Sequence, residues 1–230
     1  MSVTPKNRTK GRVWVFGGLA LVVVIAVVVA IASSGGDDGG GSASAAEQET
    51  AAVTVEGATL PSFEGNGAVD DAVGETVPTL IGENFDGGSV TLGPDRNPQV
   101  VMVVIHSCPH CQAEVPRVVE LARDGVFDGV TVTVIPTNTS EQYANYPPSS
   151  WLAREKWPFR VLLDDTKGTA ASALGTTGVP YFVFLDADGN VAGRFSGETD
   201  PEDLEQVVEA LKAGEELPLP GSDGGSTSTN

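Results

Sequence analysis

The chain is poor in several residue types, and each shortage removes a class of function. It has 230 residues but only two cysteines and two histidines. Cys108, Cys111, His106 and His110 fall in one short stretch, so no distant second ligand pair exists to complete a structural zinc module. Basic residues number 13 against 31 acids, for a net charge of −18. Lys6, Arg8, Lys10 and Arg12 lie in the first twelve residues, so the rest of the chain is more acidic still. Such a body lacks the basic face that nucleic-acid phosphates require. Its acidity reads as a well-hydrated surface. No Gly-x-Ser-x-Gly elbow occurs, which removes hydrolases built on that turn. Gln112, not histidine, follows the second cysteine, which excludes haem attachment. The peroxidase pattern PxxxTxxC is missing too, because Val101 and Ile105 occupy its Pro and Thr positions. No internal repeat is present.

What the chain does have begins with an apolar run. Val13 to Ala32 carries no charge over twenty residues. At about 1.5 Å per residue a helix of that length spans about 30 Å, the thickness of a bilayer's hydrocarbon core. The apolar region of a cleaved signal peptide is usually shorter, about 7–15 residues. The run therefore reads as a signal-anchor, a single transmembrane helix at 13–32. The lesser alternative is cleavage in the Ala-rich stretch 42–46. No cysteine follows the run closely, which excludes a lipoprotein anchor. The basic residues before it keep 1–12 in the cytoplasm. The expected location is thus the cell membrane, single-pass, with the folded domain on the extracytoplasmic side, where disulfides persist.

Residues 33–52 lack large apolar side chains and read as a flexible linker. Residues 214–230 have the same character and read as a disordered tail. Between them, 53–213 forms one domain with an N-terminal extension. Ser89–Leu92 reads as a short strand, and Gln99–His106 as a strand buried on both faces. A helix follows from Pro109, with Pro116 inside it and a kink expected there. Val130–Ile135 is a second buried strand. Ser149–Trp157 reads as a helix capped by Ser149 or Ser150, Pro158–Asp164 as a strand, and Thr169–Leu174 as a short helix. Tyr181–Asp186 and Val191–Phe195 form a hairpin around Asp188-Gly189-Asn190. Asp200-Pro201 starts the last helix, Glu202–Ala213. This alternation predicts an α/β fold with a central mixed sheet flanked by helices.

The chemistry concentrates at Cys108-Pro109-His110-Cys111. Disulfide exchange needs a thiolate. With Cys108 as N-cap and Pro109 as first helical residue, the sulfur faces unpaired N–H groups and the positive helix end. His110 can add a hydrogen bond or a charge to Cys108. Cys111, three residues on, shares a helix face with Cys108 and reads as the buried, resolving thiol. A bridge this short restrains the unfolded chain little, so a purely structural disulfide explains it poorly. Metal binding through the two cysteines and a histidine, as in a copper- or cytochrome-assembly factor, is the alternative reading.

The stretch Cys108-Pro109-His110-Cys111-Gln112-Ala113-Glu114-Val115-Pro116 resembles the CxxCxxExP signature of membrane-anchored, TlpA/ResA-like thioredoxins, with a DsbA-like Pro-His dipeptide. Val179-Pro180, ahead of an apolar strand, a hairpin and a final helix, resembles that fold's cis-proline loop. The resemblance spans about 73–213. It implies a thioredoxin-like fold and a thiol-disulfide oxidoreductase without a bound cofactor or metal. It implies that Cys108 and Cys111 are the redox pair, that Val179 and Pro180 hold the substrate chain, and that Glu114 tunes the thiols. Expected partners are protein dithiols or disulfides and a membrane redox partner. The sequence departs from the family at Ser107, where a tryptophan is usual nearby, and at Met102, where thioredoxins bury an acid. Pro109-His110 leans towards an oxidase while the surrounding signature resembles reductases, so the direction of electron flow stays open.

Overall fold

The computed structural model describes residues 48–220. The expected transmembrane helix at 13–32, the cytoplasmic end and most of the linker lie outside them. Among the described residues, no helix is long and apolar enough to cross a membrane.

The chain builds β1 (Thr54–Glu56), β2 (Thr79–Glu83), β3 (Ser89–Leu92), β4 (Gln99–Val104), α1 (Pro109–Arg123) and β5 (Thr131–Pro136). It continues with α2 (Pro148–Glu155), β6 (Arg160–Val161), α3 (Thr169–Ala173), β7 (Tyr181–Leu185), β8 (Val191–Ser196) and α4 (Pro201–Ala213). The main sheet has the order β6-β5-β4-β7-β8, with β1-β2-β3 as a separate antiparallel sheet. β4 runs parallel to β5 and antiparallel to β7, so the sheet is mixed, as the alternation predicts. This is a thioredoxin-like α/β fold.

The strand period of two divides the core into two layers. Val100, Met102 and Val104 of β4 face one layer with Phe182, Phe184 and Phe195. Val101 and Val103 face the other, with Tyr181, Val183 and Leu185. The first layer packs under α1 and α4. There Phe182 and Phe195 stack with ring centroids 4.6 Å apart, a contact that adds about 0.5–1.5 kcal/mol beyond area burial. The second layer is covered by the N-terminal extension, through Leu60, Phe63, Ala72, Val77, Leu80 and Leu92. A charged group closes this side. Arg194 of β8 has no exposed side-chain surface and forms two hydrogen bonds to Asp70 of the extension. It also donates to the carbonyls of Pro61 and Leu174, at 2.9 and 3.2 Å.

Several boundaries differ from the sequence-based expectation. α2 starts at Pro148 with Pro147 as N-cap, so neither Ser149 nor Ser150 caps it. The free Ser149 N–H instead donates to the carboxylate of Glu49, at 3.0 Å. Glu49 belongs to a segment expected in the linker. Residues 48–52 are instead bound to the domain, with Gln48 N–H on Phe85 O and Ala51 N–H on Asp164 O. The expected tail also begins in contact, because Leu217 is buried and Leu219 packs against the first core layer. β6 is shorter than expected. Asp164 beyond it accepts hydrogen bonds from the Thr137 hydroxyl and from the N–H groups of Ala170 and Ala171 that open α3.

Candidate active site

β4, the central strand, ends at Val104 and leads through a short turn to the cysteines at the start of α1. After Val104 the chain turns, and Cys108 N–H donates to Ile105 O at 3.0 Å. Cys108 is the N-cap of α1, with extended φ −76° and ψ 120°, and Pro109 takes the first helical turn. The Cys108 carbonyl accepts Gln112 N–H at 3.0 Å, which starts the helical ladder. α1 then continues through Pro116 to Arg123.

The two thiols, both free, meet different surroundings. Cys108 is half-buried, and its thiol points to the carbonyl of Val179 at 3.8 Å. The Val179–Pro180 peptide bond is cis. Cys111 is fully buried, and its sulfur accepts Ile105 N–H at 3.5 Å. Burial pushes the Cys111 thiol far above the ordinary range. The Ile105 N–H opposes this, while the nearby Cys108 and Glu114 add to it. Cys111 therefore holds its proton at neutral pH until a base takes it.

Glu114 is the carboxyl whose charge reaches Cys111. It lies one turn past Cys111 and is fully buried, not a solvated helix carboxylate. Its Oε2 accepts hydrogen bonds from Arg117 Nη1 at 3.0 Å and from Thr199 N–H at 3.3 Å. Its Oε1 has no hydrogen-bond partner among the described residues. Burial raises its pKa to about 6, although Thr199 and Arg117 pull the other way. A carboxyl that titrates near neutrality beside a protonated thiol can accept and return that proton.

The histidines take other roles than those expected. His110 does not aim its Nδ1 at Cys108. That nitrogen lies 2.6 Å from Oε1 of Glu198, and the ring is largely exposed. His106 is fully buried, and both its ring nitrogens are engaged. Nδ1–H donates to Ala144 O at 2.7 Å, and Nε2 accepts Ser140 N–H at 3.2 Å, which assigns the neutral Nδ1–H tautomer. His106 thereby pins the loop after β5 beside the cysteines and has no nitrogen left for a metal. Among the described residues, no group of three or more His, Cys, Asp or Glu is placed to hold a metal ion.

A family profile described as Redoxin matches residues 57–211. The chain belongs to the Redoxin family. With that family and a free cysteine pair at the start of α1, this Redoxin protein is a thiol-disulfide oxidoreductase. Over 144 residues it is 27% identical to the thiol:disulfide interchange protein DsbE of Haemophilus influenzae, covering 60% of this chain and 74% of that one. Among solved structures it resembles an uncharacterized conserved protein from Geobacillus kaustophilus, with a TM-score of 0.55 and 25% identity, covering 64% of this chain and 86% of the other. A putative thiol:disulfide interchange protein DsbE from Chlorobium tepidum shares the fold, with a TM-score of 0.53 at 21% identity, covering 63% and 99%.

Among the expected site residues of this Redoxin protein, Cys108, Pro109, Cys111, Glu114, Val179 and Pro180 come together, while His110 turns outward. Sequence reasoning missed Gln112, whose side-chain amide donates to His106 O at 3.0 Å and braces the turn before Cys108. It also missed Arg117, whose spacing of three from Glu114 was a usable signal. Glu198 and Thr199 had no local signal, since both reach α1 from the loop after β8.

Proposed function

We propose that this Redoxin protein exchanges disulfides with protein substrates outside the cell membrane, anchored by the apolar run 13–32. Cys108 attacks one sulfur of a substrate disulfide, forming a mixed disulfide and releasing one substrate thiolate. Cys111, deprotonated by Glu114, attacks Cys108 Sγ and expels the second substrate thiolate. The Cys108–Cys111 disulfide remains, two electrons have passed to the substrate, and its two thiols carry the two protons. The reverse sequence oxidises a substrate dithiol. Val179 and Pro180 flank the mixed disulfide and offer backbone to the substrate chain. Regeneration falls to a membrane redox partner that exchanges with the same pair.

The observation that carries this reading is the asymmetry of the thiols: Cys108 is accessible beside Val179 O, and Cys111 is buried beside Glu114. The test uses the full chain in membranes. A Cys111→Ser variant should accumulate mixed disulfides with other proteins on non-reducing gels, and Cys108→Ser should accumulate none. Equal trapping by both variants would overturn the assignment of attacker and resolver. Labelling of Cys108 in intact cells by a membrane-impermeant thiol reagent tests the location, and labelling only after lysis would refute it.

A further inference from the structure

The cysteine turn has a neighbour on each side, because three loops leave the same end of the main sheet. β4 ends with Val104 beside Pro136 of its parallel partner β5, and Val103 lies opposite Tyr181, where the antiparallel β7 begins. The turn that carries Cys108 therefore emerges between the Val179–Pro180 turn and the loop 137–147. On the first side, Cys108 Sγ meets Val179 O. On the second side, buried His106 holds the loop through Ala144 O and Ser140 N–H. Tyr146 stands edge-on to the His106 ring, with centroids 6.1 Å apart. Large apolar side chains are exposed on this loop at Tyr143 and Tyr146, and among the described residues otherwise at Val69 and Val73 of the extension. Tyr143 is 55% exposed, and its N–H donates to Ser140 O at 3.3 Å, which fixes it in the turn. One wall beside Cys108 is thus backbone carbonyl and proline, and the other is exposed aromatic ring.

We propose that Tyr143 and Tyr146 form a docking platform that selects substrate polypeptides with a lysine or arginine close to the reacting cysteine. The proposal rests on the exchange reaction given above and names its substrate class. A substrate disulfide that reaches Cys108 passes between the Val179–Pro180 turn and the tyrosines, so residues flanking its cysteine lie over the rings. The face of a tyrosine ring attracts an ammonium or guanidinium group. The charges around the rings decide for a cation over a purely apolar segment. The Tyr146 hydroxyl donates to Glu141 Oε1 at 3.4 Å. Burial, then Glu141 and Glu49, push that hydroxyl above the ordinary tyrosine range, so both carboxylates act on the platform. Glu49 is itself held by Ser149. Across the cleft, Glu198 adds a partly exposed carboxylate on the loop that Gly197 N–H ties to Pro180 O at 2.8 Å. The protein's own basic groups here are already engaged. Arg154 Nη2 donates to Asn145 Oδ1 at 2.9 Å, Arg117 is divided between Glu114 and Glu198, and His110 lies on Glu198. An acidic segment would meet the same carboxylates as like charges. The net charge of −18 draws cations to the molecule as a whole, and the tyrosines make that attraction local.

The test mixes the full chain in detergent, reduced and freed of reductant, with an excess of peptide disulfides. Each is a symmetrical dimer through one cysteine, and the residues beside that cysteine are lysine, norleucine or glutamate. The Cys108–Cys111 dithiol passes two electrons and two protons to the peptide disulfide, leaving two peptide thiols and the protein disulfide. Acid quench and mass analysis give a rate constant for each peptide. The lysine peptide should react about fivefold faster than the norleucine peptide, and faster still than the glutamate peptide. High salt should shrink the advantage. Tyr143→Ala should remove most of it by slowing the lysine peptide, and so should Tyr143→Leu, which keeps apolar bulk without a ring face. Tyr143→Phe should retain it, and Glu141→Gln should reduce it. Equal rates for lysine and norleucine, a lysine advantage that survives Tyr143→Ala, or an equal loss with all three peptides would each overturn the proposal. A norleucine preference that Tyr143→Ala abolishes would make the partner apolar and overturn it as well. A wild type that fails to reduce hydroxyethyl disulfide, a small neutral probe, would refute the exchange reaction itself. A wild type that reduces this probe but shows no preference among the peptides would refute only the platform. Circular dichroism of each variant verifies that the compared chains are folded.

Discussion

Arg194 and Arg117 each bind carboxylates across long stretches of chain, but their clusters are finished differently. Arg194 is fully buried, and Asp70 meets it from 124 residues away with both oxygens. Burial alone would raise the Asp70 carboxyl, yet the Arg194 guanidinium and the Ala72 N–H bring it below its usual range. Arg117 is about one-third exposed and divides itself between Glu114 and Glu198. Glu114 keeps one buried oxygen unpaired, and its pKa stands at about 6. The first cluster satisfies its charges and fastens the extension to the sheet. The second leaves a buried acid with one unpaired oxygen, within electrostatic reach of Cys111. The same pairing of arginine with a carboxylate therefore leaves no open oxygen on Asp70 and one on Glu114, and the completeness of hydrogen bonding separates them.

The widest separation between the two clusters is expected from Asp70→Ala. It leaves Arg194 buried without a counter-charge, which should cost about 3–5 kcal/mol of stability. Denaturant unfolding measures the loss, and the exchange rate per folded molecule should hold. A loss near zero would remove the distinction between a fastening cluster and a working one. Acid adds a second reading of the same residue. The stabilisation tied to Asp70's lowered pKa is complete above its unfolded value, near 3.8, and fades as pH falls through the folded value.

Glu114→Gln should act in the opposite sense. The folded pKa of Glu114 is raised from 4.5 to about 6. Its favourable contribution is therefore present below pH 4.5 and lost as pH rises through 6, a decline of about 2 kcal/mol. The variant should lack that decline and exceed the wild type in stability at pH 8. It should also slow the resolving step by about tenfold or more, and flatten its rise through pH 6 in single-turnover quench experiments. Unchanged pH profiles for both rate and stability would return Glu114 to a structural role.

Arg117→Met should give the smallest change in stability, below about 1 kcal/mol, because a partly exposed pair is screened by solvent. Loss of the guanidinium should still raise the pKa of Glu114 beyond 6 and move the rate profile to higher pH. A profile that stays in place would show that Arg117 does not tune Glu114.

Much of the fold could be read from local pattern. The apolar run of β4, the proline after Cys108, the Asp188-Gly189-Asn190 turn and the Asp200-Pro201 helix start each act within a few residues, so periodicity and capping chemistry are enough to place them. The caps and ties that escaped the sequence come from far along the chain. Glu49 reaches Ser149 across 100 residues, and Asp70 reaches Arg194 across 124. His110 shows the same limit within the motif. Its place between the cysteines suggested a partner in Cys108, but a helix residue turns with its own face, and Glu198 waits on that face.

The sequence alone determined where the candidate groups stand: two cysteines at a helix start, an acid one turn on, and a proline ahead of an apolar strand. Those positions follow from spacing, because three- and four-residue steps share a helix face. Tertiary structure decided how the atoms differ. It buried Cys111 and left Cys108 half-open beside Val179. It also closed the Gly197–Thr199 loop over Glu114 and drew His110 to Glu198. Burial and long-range partners set these charges, and neither is written in the spacing of residues along the chain.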